Sequence, residues 1–202
     1  MPDPTKDSSS LANDLWSTPN LLSLGRVAFT PLMIWLLTFP GPTVSAVVAI
    51  LFFLACLSDW LDGYLARRDG IITNLGKFLD PLADKILIVS GYIMLAAMPR
   101  DLAVPAWMVA VIASREVAVT GLRAIAREEG VVLEAESLGK AKTVMEVVAL
   151  FSLMVHYTYG PLDFFAAGMC FLWIAMILAV WSGVAYHVRF FRKWQALRDA
   201  DG

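Results

Sequence analysis

Four aspartates stand at helical spacings in the stretch DWLDGYLARRDGIITNLGKFLDPLAD, residues 59–84. Asp59 and Asp62 are three apart, and Asp80 and Asp84 are four apart, so each pair shares one face if its segment is helical. A short loop between the two segments makes them antiparallel neighbours whose faces can meet. Four carboxylates brought together repel one another unless cations or protons compensate. Oxygen-only ligands suit hard ions such as Mg²⁺ or Mn²⁺, and this many carboxylates can hold two. Zinc is not expected, because His156 and His187 are distant from this stretch and from each other. Cys56 and Cys170 lie in apolar surroundings without a CxxC pair and read as small core residues.

The carboxylates sit in an unusually apolar chain. Of its 202 residues 58% are hydrophobic and only 17% are charged, against roughly a quarter charged in soluble domains. The apolar residues come in blocks of about 18 or more, long enough to cross a bilayer. The fold class is therefore all-α, a polytopic membrane protein with six transmembrane helices. These are expected over about 20–39, 44–67, 76–98, 104–127, 139–157 and 162–191. Ser17-Thr18-Pro19 is a start signal for the first, with proline at the first helical position.

Residues 1–17 form a polar N-terminal segment, in which Leu11, Leu15 and Trp16 could line an interfacial helix or simply fray. No secretory signal is expected there. The six-helix domain spans 18–193, and 194–202 form a polar tail. Arg67, Arg68, Lys77, Arg123, Arg127, Lys140, Lys142, Arg189, Arg192, Lys193 and Arg198 all fall on one side of this topology, with only Arg100 opposite. The positive-inside rule then puts both termini in the cytoplasm, in a cell (inner) membrane. The net charge of −2 says little about partners, and no nucleic-acid partner is expected.

An aspartate deep in a membrane helix costs about 2.5–3.5 kcal/mol, so four imply a use. Gly63 and Ala66 lie one turn beyond Asp59 and Asp62, and Gly76 one turn before Asp80. Small residues there leave an open cleft beside the carboxylates, although tight helix packing uses them too. Arg67 stands where it could meet a phosphate, or serves topology alone.

The pattern Asp59-x2-Asp62-Gly63-x2-Ala66-Arg67-x8-Gly76-x3-Asp80-x3-Asp84 resembles the signature of the CDP-alcohol phosphatidyltransferase family at all eight defining positions. Eight fixed positions arise by chance on the order of 10⁻⁸ per chain of this length. The resemblance extends from about Asn20 to Arg189. It implies a two-metal site of Mg²⁺ or Mn²⁺, with Asp59, Asp62 and Asp80 as ligands. Asp84 would be the catalytic base for an acceptor hydroxyl while touching metal. Asp62, Gly63, Ala66, Arg67 and Gly76 would border the CDP group of CDP-diacylglycerol. The site would face the cytoplasm while the acyl tails stay in membrane lipid, and a homodimer is expected from the family.

The acceptor is a separate question. Arg115 and Arg123 in SREVAVTGLRAIAR, Lys140 and Lys142 in SLGKAKT, and Arg189 could together bind an acceptor phosphate. For all but Arg115 topology is a competing explanation. Arg115 has Glu116 beside it but is costly to bury without a use. These stretches, with TPNLLSLGRV near the first helix, are similar to the phosphatidylglycerophosphate synthases of the family, which implies sn-glycerol 3-phosphate as acceptor. Inositol phosphate would satisfy the same charges, and a lipid acceptor, as in cardiolipin synthesis, comes third. A divalent-cation transporter is the alternative of another class. Its acids should lie at mid-membrane among repeats and broken helices, features not visible here.

Overall fold

The computed structural model describes the backbone of residues 18–39, 41–69, 76–99, 103–131 and 137–201, and side chains within 23–39, 41–58, 81–99, 103–131 and 138–199. Among the described residues there are six helices, α1 Thr18–Leu37, α2 Pro42–Asp69, α3 Gly76–Ala96, α4 Ala106–Glu128, α5 Ser137–Val155 and α6 Phe164–Asp201, and one two-stranded hairpin. The chain is thus all-α, and the segment 1–17 lies outside the described residues. Helix α6 continues through the polar stretch after Lys193 as far as Asp201.

Local chemistry explains the boundaries that differ from expectation. At the end of α4, Gly130 takes φ 67°, the left-handed conformation that glycine adopts without a Cβ penalty. The Val131 amide then donates to Ala126 O at 2.8 Å and the Gly130 amide to Arg127 O at 3.4 Å, the paired bonds of a Schellman ending. Val131 is buried with Ala126, Leu122 and Tyr186, which seals the turn. Before α6, Thr158–Tyr159 (β1) pairs antiparallel with Leu162–Asp163 (β2) around Gly160. Asp163 Oδ1 accepts from the Ala166 amide at 2.9 Å, an N-cap that starts the helix at Phe164 instead of Leu162.

The chain divides into two compact units at Met94 and Leu95. In the first, α1 packs on α2, burying Met33, Leu37, Val48, Ala49 and Phe52. In the second, α6 packs on both α5 and α4. The α5–α6 contact is close because Gly168 has no side chain. A Cβ there would fall 2.7 Å from Leu153 Cγ and 3.0 Å from the Leu153 backbone nitrogen. Backbone cannot step aside as a rotamer can. Gly168→Ala is therefore expected to destabilise the unit by about 1–3 kcal/mol through overpacking, enough to outweigh the ~1 kcal/mol helix preference of alanine. A thermal midpoint in detergent at or above that of the wild type would show that the two helices part without cost.

Among the described residues, one helix, Phe164–Asp199, is long and apolar enough by itself to cross a membrane, with a mean hydropathy of 2.2 over its most apolar 18 residues. Ser23–Leu37 and Pro42–Ser58 are shorter apolar stretches. His156 is buried just after α5 with φ 35°. Its Nδ1–H donates to Met154 O at 3.2 Å.

Candidate functional site

In the first unit, Ser23, Arg26 and Thr30 are the buried polar residues among the described side chains of α1, and their spacings of three and four put them on one face. The Arg26 guanidinium, 5% exposed, lies 3.0 Å from the Asp84 carboxylate on α3, which is 42% exposed. Arg26 also donates to Ser23 Oγ at 3.2 Å, and Thr30 Oγ1 donates back to Arg26 O at 3.0 Å. Arginine buried in an apolar helix is costly without an anion beside it. Asp84 supplies that anion, and in return the guanidinium orients the carboxylate. Arg26 was missed as a site residue at the level of sequence. The available signal was a lone charge well inside the apolar run that follows Pro19.

The helices carry the other three aspartates where expected: Asp59 and Asp62 on continuous α2, Asp80 near the start of α3. The side chains of Asp59, Asp62, Ala66, Arg67 and Asp80 lie outside the described residues, as does the surround of Gly63 and Gly76. Among the described residues no three His, Cys, Asp or Glu side chains form a metal-holding group. The helical spacing is nevertheless preserved through both segments, and an all-carboxylate donor set fits hard divalent cations.

The second unit holds a buried ion network. The Arg115 guanidinium on α4 donates through Nε to Ala179 O at 3.3 Å and through Nη2 to Ser182 Oγ at 2.9 Å, both on α6. Its Nη1 meets Glu116 Oε1 at 2.7 Å. The same Glu116 oxygen accepts from Lys142 Nζ on α5, and Lys142 also reaches Glu146 Oε2 at 2.8 Å. Three helices are tied together by two cations and two acids. Gly183 makes room for the arginine, since a Cβ there would sit 3.3 Å from Arg115 Cγ. Two of the five basic candidates are thus gathered on one oxygen. The other three are elsewhere: Arg123 lies over the Tyr186 ring at 5.4 Å, Lys140 is exposed, and Arg189 Nε donates to Ala185 O of its own helix at 3.2 Å. Glu146 and Ser182 were also missed, although Glu146 follows Lys142 by four residues, the spacing of a helical ion pair.

The chain matches the CDP-alcohol phosphatidyltransferase family over residues 16–181. It belongs to that family. The match decides for an enzyme family over the transporter alternative, and members of the family are membrane-associated and generally dependent on divalent metal. The chain is 39% identical over 199 residues to the CDP-diacylglycerol–glycerol-3-phosphate 3-phosphatidyltransferase of Bacillus subtilis (strain 168), covering 93% of this chain and 100% of the relative. It is 38% identical over 186 residues to a probable phosphatidylglycerophosphate synthase of Mycobacterium tuberculosis (strain H37Rv), covering 91% and 83%. A CMP-forming cardiolipin synthase of Oryza sativa subsp. japonica is 32% identical over 192 residues, covering 88% of this chain but 58% of that protein. The matched stretch contains Asp59, Asp62, Asp80 and Asp84.

Proposed function

We propose that the protein transfers the phosphatidyl group of CDP-diacylglycerol to sn-glycerol 3-phosphate, forming phosphatidylglycerophosphate and CMP. The observation that carries this reading is the 39% identity to a glycerol-3-phosphate phosphatidyltransferase over that relative's whole length. Asp59, Asp62, Asp80 and Asp84 would hold two ions of Mg²⁺ or Mn²⁺, which when bound neutralise the diphosphate and polarise the phosphorus under attack. Asp62, Gly63, Ala66, Arg67 and Gly76 border the CDP group. Asp84 accepts the proton of the attacking hydroxyl as its oxygen bonds to phosphorus and the bond to the CMP oxygen breaks. The Arg26 guanidinium at 3.0 Å supports that role, because it holds the carboxylate in a defined place. Arg115, Arg123, Lys140, Lys142 and Arg189 supply positive charge for the acceptor's phosphate.

The same reading has six membrane spans, both termini and the site on the cytoplasmic side of a cell (inner) membrane, and a homodimer. All six helices expose large apolar side chains, among them Trp35, Phe53, Ile93, Val117, Val144 and Trp181. Such coverage supports lipid contact, since a water-soluble monomer rarely exposes large contiguous apolar patches. Crosslinking in membranes reads the homodimer directly.

The test is CMP release by purified protein in detergent with CDP-diacylglycerol, divalent cation and one acceptor at a time. Release is expected with sn-glycerol 3-phosphate and not with inositol phosphate or phosphatidylglycerol. EDTA is expected to stop it and excess Mg²⁺ or Mn²⁺ to restore it. Release with inositol phosphate alone would overturn the acceptor and leave the family chemistry standing.

A further inference from the structure

The ion network of α4, α5 and α6 carries an inference about how the acceptor's phosphate is held, and it rests on the acceptor reading above. Arg115 and Lys142 differ in what they can reach. Arg115 is 13% exposed, whereas Lys142 is 3% exposed and lies between two carboxylates. A guanidinium has five N–H donors and an ammonium three. Within the described residues Arg115 uses three of its own, on Ala179 O, Ser182 Oγ and Glu116 Oε1. One N–H therefore remains on each terminal nitrogen, each able to donate to a phosphate oxygen. Lys142 is enclosed, and its visible partners are acids of the protein itself.

We propose that Glu116, Lys142 and Glu146 form a positioning relay that holds the Arg115 guanidinium for the acceptor's phosphate, and that Lys142 acts through Glu116 and not on the ligand. Three fixed points set the guanidinium plane: a carbonyl and a hydroxyl of α6 on one edge, and the Glu116 carboxylate on Nη1. Rotation of the Glu116 side chain would carry the guanidinium with it. Lys142 prevents this by binding the same oxygen from α5, and Glu146, 2% exposed, fixes Lys142 in turn. Among the described residues the network counts two cations and two acids, so its value to an anionic ligand lies in the orientation of donors more than in net charge.

A double-mutant cycle tests the relay, with KM for sn-glycerol 3-phosphate, KM for CDP-diacylglycerol and kcat read separately for the full chain in detergent. Arg115→Gln is expected to raise KM for the acceptor about tenfold or more and to leave KM for CDP-diacylglycerol within about twofold. Glu116→Gln and Lys142→Gln should each do the same to a smaller degree. The pair together should be no worse than Glu116→Gln alone. Additive increases from Glu116→Gln and Lys142→Gln would overturn the relay and make Lys142 a direct ligand. Lower thermal midpoints with an unchanged acceptor KM would overturn it in favour of a purely structural cluster. An unchanged acceptor KM in Arg115→Gln would overturn the basic site itself, a result distinct from failure of the cycle. If Glu116→Gln does not fold, Glu116→Asp keeps the charge, withdraws the carboxylate by one methylene and enters the cycle with the same expected outcomes.

Discussion

Asp84→Asn is expected to lower kcat for CMP release by about 10²–10⁴-fold, the range spanned by loss of a positioned acid or base, with the protein still folded. Asparagine keeps the size and one acceptor oxygen of aspartate, so the Arg26 contact at 3.0 Å can persist as a hydrogen bond. The proton of the acceptor hydroxyl then has no carboxylate to receive it. Titration of Mg²⁺ or Mn²⁺ separates the two roles proposed for this residue. A base alone leaves the metal concentration for half-maximal rate unchanged, whereas a metal ligand raises it. Wild-type turnover by the variant would remove Asp84 from the chemistry.

Arg26→Ala should lower kcat by about 10²-fold, the scale on which a displacement of about 1 Å at a reacting group is felt. The guanidinium stands beside the carboxylate and is itself anchored to Ser23 on the same helix. Its removal takes a fixed cation from beside Asp84 and deletes a buried side chain from α1. Stability should fall as well, by less than the 3–5 kcal/mol typical when a fully buried pair is broken, because Asp84 is 42% exposed. Arg26→Lys retains charge but not the planar fork and should recover part of the rate. An Arg26→Ala enzyme with unchanged kcat and a lowered thermal midpoint would reduce Arg26 to a structural ion.

Along the chain, periodic and compositional signals were read well. The six apolar blocks became six helices, whereas the ends set by Gly130 and Asp163 were placed only by the structure. Such ends are set within a turn or two of backbone by φ preference and by which amide or carbonyl finds a partner. The aspartate spacing was legible, since a period of 3.6 residues assigns faces without knowledge of what they face.

Contacts between distant residues were not legible. Arg26 and Asp84 are 58 positions apart, and Arg115 and Ser182 are 67 apart. The sequence shows that Arg115 and Lys142 are basic residues in apolar surroundings, which suits a phosphate site for both and a topology signal for Lys142. The packing of α4 and α5 on α6 decides that Lys142 is enclosed by Glu116 and Glu146 while Arg115 keeps donors to spare. Spacing within a helix follows from the chain alone, whereas the partner of a buried charge depends on which helices pack together and at what rotation, a property of the whole unit.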